Sequence, residues 1–277
     1  MRSRTLARGR DWSARDILCR AGPRDRPFEE QHDAMSVALV TEGTFQYRSK
    51  TGAALLAPGA LLLGNAGDCF VCGHEHAVGD RCLAFNFAPD LIEETAASIR
   101  GVRRARFCVP ALPPLPQTQS LAAQAEAARD ADTPEALEAL GLDLLAGTLA
   151  AQSAVPAASF VPSDRDLRRV TAIMRRIEAE ADTPVALAAL AADAGLSRFH
   201  FLRVFRRIVG MPPYQYLLRL RLHRAAVRLR TSIAPVLEIA LGAGFDDLST
   251  FNRRFRRLMG TTPTGFRSGA GRLRTRR

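Results

Sequence analysis

The chain has 277 residues, enough for two domains of ordinary size, and its 47% hydrophobic, 24% charged composition excludes a disordered polymer. The formal net charge of +11 is segregated: residues 1–162 carry 16 basic and 19 acidic side chains, whereas residues 163–277 carry 23 basic, all arginine, and 9 acidic. No apolar run is long enough to span a bilayer and MRSRTLARGRDW lacks the apolar stretch of a secretory signal, so a cytoplasmic protein with a polyanion partner for its C-terminal part is expected.

Residues 1–27 read as an N-terminal arm. From 28 to 110 the text consists of short apolar runs punctuated by Glu42-Gly43, Thr51-Gly52 and Pro58-Gly59, which suits an antiparallel barrel or sandwich. Residues 111–152 turn alanine- and leucine-rich, with a break at Asp132-Thr133-Pro134, and predict two helices forming an antiparallel pair. Residues 153–162 resemble a linker, and the charge changes sign there. Ser163 and Asp166 then have the spacing of a capping box, and helical text runs from 163 to 277. The fold class expected is α+β, a β-rich N-terminal part with a helical pair and then an all-α part.

Two stretches of that all-α part say nearly the same thing. GLSRFHFLRVFRRIVGMPP at 195–213 and GFDDLSTFNRRFRRLMGTTP at 244–263 match at Phe201/Phe251, Arg203/Arg253, Phe205/Phe255, Gly210/Gly260 and Pro213/Pro263. In the first copy Gly195 suits a left-handed turn and Ser197 an N-cap, and Phe201, Val204, Phe205 and Ile208 fall on one buried stripe. In the second, Leu248, Phe251, Phe255 and Leu258 do the same. Each copy is a supporting helix, a glycine turn and a second helix with one face free, the helix–turn–helix pattern. The free faces carry Phe199, Leu202, Arg203, Arg206 and Arg207, then Ser249, Asn252, Arg253, Arg256 and Arg257. Arginine can bond guanine and asparagine adenine bidentately, apolar tips meet thymine methyls, and flanking arginines neutralise phosphates.

On these motifs, residues 170–268 resemble the DNA-binding domain of the AraC/XylS family of bacterial transcription regulators. The second copy carries the stretch that identifies it: Ile239-Ala240, Gly244-Phe245, Phe251, Arg253, Phe255, Gly260, Pro263 and Phe266-Arg267. Relatives usually have a tyrosine or similar ring at the place Phe266 fills, and often a polar residue where Leu202 stands. The resemblance implies Phe199, Leu202 and Arg203 as base readers of the first unit, and Ser249, Asn252 and Arg253 of the second. Many members place a cupin-like β-barrel that binds an effector before the reader, followed by helices that dimerise. That implies a cupin-like sensor at 28–110, a dimerisation segment at 111–152, a homodimer, and RNA polymerase as partner if the protein activates. The main expected partner is double-stranded promoter DNA.

Five cysteines, Cys19, Cys69, Cys72, Cys82 and Cys108, all lie in the N-terminal part, and an odd number argues against a disulfide framework. Cys72, His74, His76 and Cys82 are ligand types for zinc, nickel or copper, and on a strand the first three share one face. His74, His76 and Asp80 also partly match the metal motif of cupin enzymes, with aspartate for glutamate and the later glycine missing. The cluster admits three readings: a metal site, a redox-reactive thiol, or plain packing. No nucleophile–base pair or paired carboxylates emerge, so the chain reads as a regulator rather than an enzyme. The alternative is a metal-dependent cupin enzyme fused to a DNA-binding domain.

Overall fold

The computed structural model describes residues 1–27, 29–74, 79–102, 104–129, 134–152 and 162–269. Among these residues the N-terminal part holds ten strands: β1 (Arg2–Arg8), β2 (Trp12–Cys19), β3 (Glu29–Gln31), β4 (Met35–Gly43), β5 (Phe45–Ser49), β6 (Gly52–Leu56), β7 (Leu61–Gly64), β8 (Cys69–Gly73), β9 (Asp80–Phe87) and β10 (Ala111–Leu112). They form a six-stranded sheet in the order β1-β2-β9-β4-β7-β10 and a four-stranded sheet in the order β3-β8-β5-β6. Among the described residues the sheets do not close into one barrel. The stretch expected as an arm is therefore sheet: β1 pairs with β2, and β2 pairs with β9 from Trp12/Phe87 to Cys19/Asp80. Alternation within RDILC and WSAR is short and mixed with charge, which hid these strands.

Strand alternation divides the large sheet between two cores. Val37, Leu39, Leu83 and Phe85 face the helices α1 (Pro89–Ser98), α2 (Pro116–Ala128) and α3 (Pro134–Gln152), where Leu144, Leu145 and Leu149 meet them. Ala38, Val40, Cys82 and Ala84 face the small sheet, packing on Phe45, Tyr47 and Leu56. Trp12 also donates its indole N–H to Glu138 of α3 at 2.8 Å. The helical pair is present, but α3 spends its apolar face on the sheet.

Among the described residues the C-terminal part is helical: α4 (Asp164–Ala179), α5 (Leu187–Asp193), α6 (Arg198–Val209), α7 (Pro213–Thr231), α8 (Val236–Gly242), α9 (Leu248–Met259) and α10 (Pro263–Arg267). Ser163 Oγ accepts the Asp166 N–H, capping α4 as the sequence implied. The expected linker at 153–162 lies almost wholly outside the described residues. Two cores serve two halves. Val170, Ile173, Ile177, Phe201, Phe205 and Tyr216 fill one, while Leu222, Leu229, Ile239, Phe251, Phe255 and Phe266 fill the other. The long helix α7 contributes to both.

The N-terminal part touches each half separately. Ala57 is buried in the first core and Ala123 of α2 in the second. Thr44 donates to Glu178 Oε1 at 3.1 Å, and Tyr216 donates to the same oxygen at 2.9 Å. His223 of α7 and Glu126 of α2 meet at 2.6 Å. Beside the first contact lies a cavity of about 790 Å³, bordered by Leu55, Leu56, Val109, Met174, Arg207 and Ile208 among others.

Candidate nucleic-acid interface

The two copies fold alike because the same residue types recur in the same places. Gly195 (φ +62°) and Gly244 (φ +81°) make the left-handed turns between α5 and α6 and between α8 and α9. Ser197 accepts from the His200 N–H and Asp247 from the Thr250 N–H, so each longer helix is capped, worth about 1 kcal/mol apiece. Gly210 and Gly260 end α6 and α9 in the left-handed conformation, and Pro213 and Pro263 start the next helices. Inside, Phe201 and Phe205 stack edge-on at 5.6 Å with Tyr216 beyond. Phe251 and Phe255 sit 5.3 Å apart with Phe266 beyond. Tyr216 and Phe266 thus occupy matching places.

That packing leaves one face of α6 and one of α9 free. Phe199 is 77% exposed at the start of α6. Arg203, Arg206, Ser249, Asn252, Arg253, Arg256 and Arg257 are all exposed, while Leu202 is half-buried. Asn252, Arg253, Arg256 and Arg257 border an open groove of about 720 Å³ together with Thr262, the N-cap of α10, and Thr264 within it. Both threonines lie beyond α9, so the helical periodicity of the sequence does not point to them. Arg207 is also exposed, but it borders the cavity shared with the N-terminal part.

Part of the arginine surplus is structural. Arg221 donates to the carbonyls of Ala181, Thr183 and Gly244, at 2.5, 2.7 and 2.7 Å. Arg176 bonds Glu180 and Asp193, Arg224 the carbonyl of Glu178, and Arg267 the carbonyl of Ala234. The cations left pointing outward from α6 and α9 form a basic surface suited to a phosphate backbone.

The predicted metal set is only partly brought together. Cys72 lies on β8 and Cys82 on β9, in different sheets, and His76 lies outside the described residues. Among the described residues the group whose ligand atoms gather is Cys19, His74 and Asp80. Cys82 stands behind it, its thiol donating to Asp80 Oδ2 at 3.5 Å. Burial pushes the Cys72 and Cys82 thiols well up, so both are uncharged. Cys19 was overlooked because it is far from the motif in sequence, and the β2–β9 pairing alone delivers it.

The helix–turn–helix domain family matches residues 190–269 of this chain. The HTH-type transcriptional activator AarP of Providencia stuartii is 36% identical over 98 residues, which are 35% of this chain and 73% of AarP. The regulatory protein SoxS of Salmonella typhimurium is 32% identical over 98 residues, 35% of this chain and 92% of SoxS. The right origin-binding protein of Escherichia coli is 37% identical over 91 residues, 33% of this chain but only 32% of that longer protein. A basic, doubly repeated helical reader of this kind defines a DNA-binding protein. The chain belongs to the AraC/XylS family of transcription regulators.

Proposed function

We propose that the protein is a sequence-specific DNA-binding transcription regulator that reads double-stranded promoter DNA with two helix–turn–helix units, α5–α6 and α8–α9. The observation that carries this is the repeat itself: two capped helices, each with a buried phenylalanine pair and an exposed polar, arginine-bearing face. Entered into successive major-groove segments, two such helices read sites about 34 Å apart from one side of the duplex. Arg203 and Phe199 then contact bases in one segment, and Ser249, Asn252 and Arg253 in the other. Arg206, Arg256 and Arg257 take phosphates.

The β-rich N-terminal part acts as a cupin-like sensor domain in this scheme. Its contacts with both halves of the reader support a role in coupling an effector to DNA binding. The homodimer expected through residues 111–152 has less support, since α2 and α3 bury apolar residues inside the chain. The names of the relatives above support a regulator over the cupin-enzyme alternative.

The test is selection of genomic fragments bound by the full-length protein, followed by footprinting at several salt concentrations. Two protected segments one turn apart, with affinity falling steeply as salt rises, are expected. Protection of a single short segment, or binding indifferent to salt, would overturn the two-unit scheme.

A further inference from the structure

Three strand ends meet at one corner of the N-terminal part. Cys19 closes β2 and pairs with Asp80, the first residue of β9, while His74 follows directly on β8. One ligand atom from each of these three side chains lies within 4.8 Å of the other two. His74 and Asp80 are 6% and 8% exposed, and their side chains meet at 2.5 Å. Phe45 stacks on the His74 ring at 5.7 Å and fixes its plane. The corner is held by glycines at positive φ: a Cβ on Gly43 would come within 2.4 Å of the Gly79 carbonyl, and one on Gly79 within 2.9 Å of the Cys19 carbonyl. Backbones packed that closely leave little freedom to the groups they carry.

A thiol, an imidazole and a carboxylate converging on one point are the donor types of a borderline divalent cation. Bonds of about 2.0–2.3 Å to zinc place neighbouring donors some 3–4 Å apart, so the cluster closes on an ion with shifts of about 1 Å. A thiolate and a carboxylate also neutralise a dication, which a half-buried corner requires. We propose that Cys19, His74 and Asp80 form a three-ligand site for a divalent transition metal, zinc foremost, with a fourth position left to water or a further donor. On binding, the Cys19 thiol gives up its proton to solvent as the sulfur–metal bond forms.

The site adjoins the junction with the reader. Asp80 pairs with Gly43 across β4 and β9, and the next residue, Thr44, donates to Glu178 of α4. A metal held between Asp80 and His74 parts their side chains, now 2.5 Å apart, and so shifts the strand end that holds α4. This consequence rests on the N-terminal part being a sensor; the metal site does not.

The experiment uses the full-length, metal-free chain titrated with zinc and with cobalt(II). One equivalent should bind, and cobalt should give a thiolate charge-transfer band that Cys19→Ser and Asp80→Asn abolish while Cys108→Ser leaves it intact. In the unmutated protein, zinc should protect Cys19 from alkylation at least tenfold, which guards against a variant that fails to fold. Less than about a tenth of an equivalent bound, no protection of Cys19, or a band that survives Cys19→Ser would each overturn the site. DNA affinity is measured separately on a fragment the protein selects. A severalfold change with zinc, lost in Thr44→Val, supports the coupling, and no change with metal bound would overturn the coupling alone. Failure to bind any DNA while cobalt binds would sink the regulator scheme and leave the metal site standing.

Discussion

Arg221 of α7 donates a guanidinium hydrogen to the carbonyl of Gly244 at 2.7 Å, and so ties the connecting helix to the turn of the second reading unit. Its other nitrogens hold the carbonyls of Ala181 and Thr183, which belong to the α4–α5 loop of the first. One side chain thus fixes the two halves relative to each other. Arg221→Met keeps much of the stem and strands three carbonyls. It should cost about 2–3 kcal/mol in urea unfolding. It should also weaken operator binding beyond what that destabilisation explains, although Arg221 is not among the proposed readers. Unchanged binding in a folded variant would show that α7 packing alone sets the geometry.

Gly244 is a second fixed point. At φ +81° an added methyl would lie 2.8 Å from both the Asp182 carbonyl oxygen and Arg221 Cζ. Gly244→Ala therefore combines a disfavoured conformation with a clash against backbone, and a loss exceeding about 1 kcal/mol is expected. Gly260→Ala, whose added methyl meets nothing within 4 Å, should show only the conformational part. Equal melting shifts for the two variants would refute the distinction.

The exposed arginines should separate by role. Arg203→Ala and Arg253→Ala should each lose about 1–3 kcal/mol at a different base position, one helical turn apart. Arg257→Ala should weaken binding about equally on every sequence and lower the salt slope by roughly one. Selection of preferred sequences with each variant distinguishes them. A shared specificity change for Arg203→Ala and Arg253→Ala would mean that the two units do not read separate sites.

His32 gives the fold a pH dependence unrelated to DNA. Its Nε2 lies 2.8 Å from the Tyr47 hydroxyl, which itself donates to the Leu63 carbonyl, and its ring stacks on Phe70 at 4.2 Å. Burial lowers its pKa from 6.5 to about 4. Below pH 6.5 the unfolded chain takes up a proton that the folded chain refuses, so stability should fall as pH drops from about 6.5 to 4. His32→Gln should flatten that slope. A wild-type melting temperature as constant as the variant's across this window would contradict the assignment.

The reader was legible because its signals are local. Turn glycines, N-caps and phenylalanines four apart recur with an offset of 49 or 50 residues, and each specifies structure within a dozen residues. The N-terminal part was legible in class but not in detail, since strand pairing is nonlocal. Nothing near Arg2–Cys19 says that it lies beside β9, and so neither the two added strands nor the approach of Cys19 to Asp80 could be read. Composition misled in one respect. Arg221 and Arg267 count toward the positive surplus but serve carbonyl groups inside the fold. Arg207, outward by helical spacing, is exposed and also borders the cavity against the β-rich part.

The head-to-tail order of α5–α6 and α8–α9 along one chain, joined through α7, carries a consequence for the geometry of its targets. Two identical subunits related by a two-fold axis read a palindrome and bind either way round. Two unlike units in tandem read a sequence with a beginning and an end. On the proposed two-unit scheme the protein has a polarity on DNA: inverting its site within a promoter turns the β-rich part to face the opposite direction along the duplex. Whether it meets the transcription machinery then depends on which strand carries the site.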